Sequence, residues 1–415
     1  MLVFREGDPR IFTFSSAFEI GVAMRRLPND TITLTIPQLS FETLFGDPEF
    51  PANAHGGNDT ITVNVDGLTY INLVGDAAAL LDHSRGGNDT LTVSIAGENN
   101  TVIVDGDAQS MSGHSKGGND TVTGDSTGSV RNGFTLYGDA EGAMSDHVQG
   151  GNDTVTGVFG GRSLNTLVGD GGTMSGDTHG GNDTLVALQT GQTGSAVLYG
   201  DAFGLTDHAH GGNDNLIFTI GDEAQTGGGN LYGDAGGLSG DARGGNDTLT
   251  IVDLHGNLHF YSFLLIGDVD SMSGNAQGGN DVLAGGSYVD MLMGDARTYD
   301  PAAPGSITGG RDILNGKGGN DEMWGGPNSD IFAFEKGSGQ DLIHDFNQGN
   351  TIVGSAAVEH DLIDVQDYGF ADWAALKSLI SDDASGNAVV HLTVSDTITL
   401  QGVRTADLHV TDFIV

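Results

Sequence analysis

The chain has 415 residues, 69 of them glycine and 8 proline, with 56 acidic against 15 basic side chains and a net charge of −41. That charge argues against nucleic acid or anionic membrane as a partner, and the absence of cysteine excludes disulfides, thiolate metal sites and cysteine nucleophiles. Glycine far above its ordinary share of ~7% argues against packed helices, while regularly placed apolar residues argue against a disordered linker.

The N-terminal "MLVFREGDPRIFTFSS" lacks a basic run followed by an apolar stretch, so it does not read as a Sec signal peptide. No segment approaches the ~18 apolar residues of a membrane span, and no membrane insertion is expected. Residues 1–46 read as a capping coil. Within them Asp30, in "PNDTITLTI", opens a repeat that then dominates residues 47–300. Its first motif is Gly-Gly-Asn-Asp followed by alternating apolar residues, as in "GGNDTLTV", with carboxylates at Asp59, Asp89, Asp120, Asp153, Asp183, Asp214, Asp247 and Asp281. The intervals are 30, 31, 33, 30, 31, 33 and 34 residues. A second motif, an apolar pair followed by Gly-Asp, interleaves at Asp47, Asp76, Asp107, Asp139, Asp170, Asp201, Asp234, Asp268 and Asp295.

Each repeat thus offers two short strands with period-two patterning. A pair this short cannot bury its own apolar face, so successive coils must stack. The expected fold is all-β: a right-handed parallel β-solenoid of about nine coils, roughly 40–45 Å long at ~4.8 Å per coil.

The two edges of this solenoid differ. From Gly-Asp to the next Asn-Asp the spacing is 13 residues in six of the first eight coils, with one 12 and one 14; from Asn-Asp to the next Gly-Asp it drifts between 14 and 21. Along the constrained edge three columns recur. Nine residues before the Asn-Asp carboxylate stands an apolar residue (Leu80, Met111, Met144, Met174, Leu205, Leu238, Met272), read as a plug that folds the connection onto the rod. Six before it stands His, Asp or Asn (Asn53, His83, His114, His147, Asp177, His208, Asp241, Asn275), read as a short polar loop partner rather than a transition-metal site. Four before it, Arg85, Lys116 and Arg243 read as local counter-charges.

Stacking places equivalent carboxylates ~4.8 Å apart, a repulsive arrangement that a divalent cation between coils would turn into a cross-link. Oxygen-only ligands and glycine-turn carbonyls point to multiple calcium ions. The competing reading is a ladder of Asx turns that needs no metal. The opposite edge is expected to bind no calcium.

Over residues 301–345 the repeat tightens. "GGRDILNGKGGNDEMWGGPNSDIFAF" spaces Asp312, Asp321 and Asp330 by nine residues and fits the nonapeptide G-G-x-G-x-D-x-U-x, with Asn328 where glycine is usual. This segment resembles the RTX (repeat-in-toxin, hemolysin-type) calcium-binding family. The resemblance implies a parallel β-roll with calcium at the turns, held here by Asp312, Asp321 and Asp330. By analogy it extends to the upstream columns: Asp59, Asp76, Asp89, Asp107, Asp120, Asp139, Asp153, Asp170, Asp183, Asp201, Asp214, Asp234, Asp247, Asp268, Asp281 and Asp295. Residues 346–415 look like the C-terminal cap of such rolls, with a helix expected over Phe370–Ile380 presenting Trp373, Leu376 and Ile380. They end in "DTITLQGVRTADLHVTDFIV", which looks like an uncleaved type I secretion signal. The resemblance therefore implies passage through type I secretion machinery, an extracellular or cell-surface location, and folding on meeting calcium outside.

H-E-x-x-H does not occur, and no catalytic residues are assigned. The expected role is structural: surface layer, extracellular filament, biofilm matrix or adhesion, with another copy of the chain or a surface glycan as partner. The alternative is a carbohydrate-binding or carbohydrate-modifying, lyase- or epimerase-like β-helix. One irregular patch, "VDLHGNLHFYSFLLIGD", groups His255, His259, Phe260, Tyr261 and Phe263 on the variable edge.

Overall fold

The computed structural model describes residues 10–13, 29, 31–36, 41–47, 53–65, 70–96, 100–126, 132–161, 164–191, 193–222, 224, 226–254 and 260–415. Among the described residues, two long sheets of 14 strands each carry the fold. In the first, strands such as Thr60–Val65, Thr90–Ile95, Thr121–Ser126 and Thr154–Phe159 pair parallel and residue for residue. In the second, Tyr70–Val74, Thr101–Asp105, Gly133–Tyr137 and Leu164–Val168 do the same. The chain is a parallel β-solenoid, as the sequence pattern predicts.

The alternation decides which way each strand faces. Thr60, Thr90 and Thr121 begin their strands exposed, while Ile61, Leu91 and Val122 point inward and are buried. A one-residue slip would turn every apolar side chain to solvent, so the register holds despite unequal repeat lengths. The inward residues of both sheets form one continuous core that includes Leu73, Val104, Leu136, Leu185, Leu216 and Phe218. Phe218 packs edge-on against Phe159 and Phe263, at 5.9 and 5.0 Å between ring centroids.

The constrained connection is more than a turn. It is a third side of the coil with its own parallel ladder, running through Leu80, Met111 and Met144 and, three or four residues earlier, Ala77, Ala108 and Ala140. Short strands form there too, including Ala140–Met144 beside Gly171–Met174. The Leu/Met column read as a plug lies in a second hydrophobic core with Ala108, Ala140, Ala202 and Ala235. Two strands per coil is therefore corrected to three sides. The third escapes period-two reading because its order runs across coils, not along the chain.

The tip of this third side turns through a left-handed residue. Asp82, Asp146 and Asp207 have φ of 57, 74 and 63°, and Gly113, Gly176 and Gly240 take the matching place with φ of 76, 74 and 76°. Asp and Gly are among the few residues that enter that region without large strain.

At the C-terminal end the second sheet closes with two antiparallel strands, Ala388–His391 and Ile380–Asp382. The expected helix is shorter, Trp373–Lys377, capped by Asp372, whose side chain accepts a hydrogen bond from the Ala375 amide at 2.9 Å. It stops there because Ile380 joins the antiparallel pair. Leu376 and Ile380 enter the main core, with Trp373 packed against it. Of the irregular patch, His255 and His259 lie outside the described residues; Phe263 is buried in the main core. The capping coil predicted over 1–46 contributes strands Thr31–Ile36 and Phe41–Phe45, which continue the two sheets in register; Asp30 lies outside the described residues.

Leu216 is fully buried at the middle of the main core. Leu216→Ala is expected to lower unfolding free energy by about 2–5 kcal/mol, read as a shift in the urea midpoint; an unchanged midpoint would contradict the packing described.

Candidate metal-binding seam

The Asn-Asp and Gly-Asp motifs meet at the base of the third side, because one ends the second sheet and the other begins the first. Their carboxylates therefore lie between the two hydrophobic cores. Every predicted site residue upstream of residue 300 is buried there, and so are Asp312 and Asp330.

In the Asn-Asp file each main-chain amide donates to the carboxylate one coil on. Asp89 donates to Asp120 Oδ1 at 2.7 Å, Asp120 to Asp153 Oδ1 at 2.6 Å, and Asp183 to Asp214 Oδ1 at 2.7 Å. The series runs through Asp281, Asp312 and Asp330 to Asp361. The neighbouring asparagines build a parallel, exposed ladder: the main-chain amides of Asn88, Asn119 and Asn152 donate to the Oδ1 atoms of Asn58, Asn88 and Asn119 at 3.1, 3.2 and 3.0 Å. The metal-free ladder weighed as the competing reading is thus present, but it engages only one oxygen of each aspartate. The Oδ2 atoms of Asp89, Asp120, Asp153, Asp183, Asp214 and Asp247 are buried with no hydrogen-bond partner.

The Gly-Asp file is organised by glycine amides. Gly87 donates to Asp76 Oδ2 at 2.7 Å, Gly118 to Asp107 Oδ2 at 2.8 Å, and Gly245 to Asp234 Oδ1 at 2.6 Å. Here too one oxygen is left over in Asp76, Asp107, Asp201, Asp234, Asp268 and Asp295.

The glycines mark where these oxygens converge. A Cβ built on Gly106 would collide with the Gly138 carbonyl oxygen and with Asp120 Oδ2; on Gly138 it would meet the Gly169 carbonyl and Asp153 Oδ2. Over the first glycine of Gly-Gly-Asn-Asp, two consecutive Gly-Asp carboxylates come together: Asp107 and Asp139 above Gly117, Asp139 and Asp170 above Gly150. Among the described residues no three His, Asp or Glu side chains surround one point. An ion here would take two carboxylates from adjacent coils and draw the rest of its shell from main-chain carbonyls. Hard, flexible, oxygen-only surroundings of this kind suit calcium, which accepts 6–8 oxygens.

Burial pushes these carboxyl groups far above their ordinary range. It is the main cause for Asp107, Asp120, Asp153, Asp170 and Asp183, with neighbouring carboxylates adding to it. Asp89 is raised to about 9 and Asp234 to about 6. Among the described residues, no ion pair joins Arg85, Lys116 or Arg243 to the files; Lys116 Nζ donates to Gln149 Oε1 along its own column. The His column lies at the exposed tip of the third side, with the rings of His83, His114 and His147 in tilted contact at 4.9 and 4.8 Å and His147 Nδ1 3.3 Å from Asp177.

Asp321 stands apart from Asp312 and Asp330. Its amide donates to Asp341 Oδ1 at 3.0 Å, and the Asp290 amide donates to Asp321 Oδ1 at 2.8 Å. Asp290 and Asp321 directly precede strands of the second sheet and Asp341 is the second residue of one, so a carboxylate file also runs down the opposite edge from Asp290 onward. Asp290 and Asp341 are each raised to about 7 and Asp321 to about 8, chiefly by burial. Sequence reading missed Asp290, Asp341, Asp345 and Asp361. The available signal was an Asp just before or within a short apolar run, in "VDMLM", "QDLIHDF" and "HDLIDV".

The sign of the pH dependence follows. An unfolded chain releases these protons near pH 3.9, whereas the folded, metal-free chain holds them to about 6 at Asp234, 8 at Asp321 and 9 at Asp89. The folded state binds more protons, so this stabilisation is fully present below pH ~4 and lost as pH rises toward ~9. In chelator, the thermal midpoint is expected to fall from pH 5 to pH 9; a rise would contradict the buried seam. Comparison with protein-family models, curated proteins and solved structures finds no match to this chain.

Proposed function

We propose that this chain is a secreted, calcium-binding structural β-solenoid that completes its folding outside the cell and serves in a surface layer, filament, biofilm matrix or adhesion. The observation that carries the reading is the seam: two files of buried carboxylates between two hydrophobic cores, each with one oxygen in a main-chain ladder and, in most, the other without a partner.

At neutral pH such a seam needs either protons or cations. Burying unpaired carboxylates is expensive, and like charges one coil apart add repulsion. Calcium bound by Asp76, Asp107, Asp139 and their successors, together with Asp89, Asp120, Asp153 and theirs, would displace the protons and join each coil to the next. Its binding free energy would then appear as folding free energy. Calcium sites of extracellular proteins operate in the 10⁻⁴–10⁻³ M range, far above cytosolic supply, so folding would be conditional on export. The resemblance of residues 301–345 to RTX nonapeptides supports the same reading. The distribution of carboxylates along the whole rod, rather than at one cleft, favours a scaffold over an enzyme.

Sedimentation velocity across a calcium titration from chelated protein tests this. A slow, expanded monomer is expected to become compact at sub-millimolar to millimolar calcium, with magnesium a poor substitute. Progress to large species would identify self-assembly as the role. A chelated protein already compact at neutral pH, with no response to calcium, would refute the proposal.

A further inference from the structure

Departures from the repeat in neighbouring coils meet at one place. The column preceding Gly-Asp on the outer face of the second sheet reads Val74, Asp105, Tyr137, Val168, Tyr199, Tyr232 and Ile266, aligned by strand register. Asp105 is its sole carboxylate. It is fully buried, and neither of its oxygens has a hydrogen-bond partner. The charged group facing it is another carboxylate, Glu141, whose main-chain amide is also turned toward it.

Glu141 is itself displaced from the repeat. Asp139 to Asp153 is the 14-residue connection, and its extra residue is absorbed as a bulge: Ala140 pairs with Gly171, but Ala143 pairs with Thr173. Bulges re-aim side chains, and this one sends Glu141 back along the rod. Its Oε1 accepts from Asn72 Nδ2 at 3.1 Å and from Gln109 Nε2 at 3.3 Å. Asn72 is 4% exposed, and its Oδ1 is a third buried oxygen with no partner. Tyr70 and Tyr137 flank the group, each held above its ordinary range by burial first and then by these two acids.

We infer that Asn72, Asp105 and Glu141 hold one calcium-sized hard cation, separate from the seam. Both Asp105 oxygens, Asn72 Oδ1 and the Glu141 carboxylate supply oxygen-only ligands, and two carboxylates balance a dication. A proton shared between Asp105 and Glu141 would join the two carboxyl groups by a hydrogen bond, and none joins them. Magnesium, which keeps several waters and octahedral geometry, fits poorly against a fully buried ligand. Glu141, half-buried, is the most exposed of the three. Because its residues come from three successive coils, one ion would staple all three.

Native mass spectrometry of the full chain in calcium, which resolves single ions, tests the site. Asp105→Asn and Glu141→Gln are each expected to carry one calcium fewer than the parent, with the remaining ions unchanged. An unchanged count in Glu141→Gln, the half-exposed position that leaves the core intact, overturns the inference even where Asp105→Asn fails to fold. The outcome separates the two readings. A parent that binds one ion, lost in both variants, keeps this site and refutes the seam; a parent that binds many, with both variants equal to it, does the reverse.

Discussion

Main-chain pairing fixes the distance between one coil and the next at ~4.8 Å, and every side chain that recurs once per coil must accept that spacing. For Leu, Ile and Val the result is a continuous core. For Asp it is a buried line of like charges. Most of the molecule's unusual composition follows from accommodating that line. Aspartate rather than glutamate keeps the carboxylate within reach of main-chain amides, and glycine on both sides leaves room for its oxygens. The length of the third side varies little because it must return the chain to the seam at the right height.

The two cores make the constraint severe. On one side lie Leu73, Val104 and Leu136, on the other Ala108, Met111 and Met144. With apolar packing on both flanks, water cannot solvate the carboxylates, and their protonation or metal loading is tied to whether adjacent coils are stacked. In most solenoids the interface between neighbouring repeats is a fixed energy. Here each interface is contingent on what neutralises it.

Much of this was legible in the sequence for a simple reason: a solenoid writes its three-dimensional register as a one-dimensional period. The seam positions, from Asp59 and Asp76 to Asp295 and Asp330, could be read because glycine and aspartate recur where the geometry demands them. The third side was read as a connection, since its Ala and Met columns are single residues per coil and show no alternation along the chain. Asp290, Asp341, Asp345 and Asp361 stand in motifs too degenerate to count. Asp105 and Glu141 were invisible for the opposite reason: each departs from the period, and a search for repetition passes over departures. The helix at Trp373 was foreseen by its apolar spacing but shortened by strand pairing at Ile380, a tertiary demand that local pattern cannot express.

Around the edge opposite the third side the interval from Asn-Asp to the next Gly-Asp, strands included, varies between 14 and 21 residues from coil to coil, yet strands on both sides of that edge pair residue for residue. Whatever length is inserted there is not transmitted to the neighbours. Each coil therefore carries a segment whose sequence can drift independently of the scaffold, so that a lineage could change what the rod displays at one height while leaving the rod itself untouched.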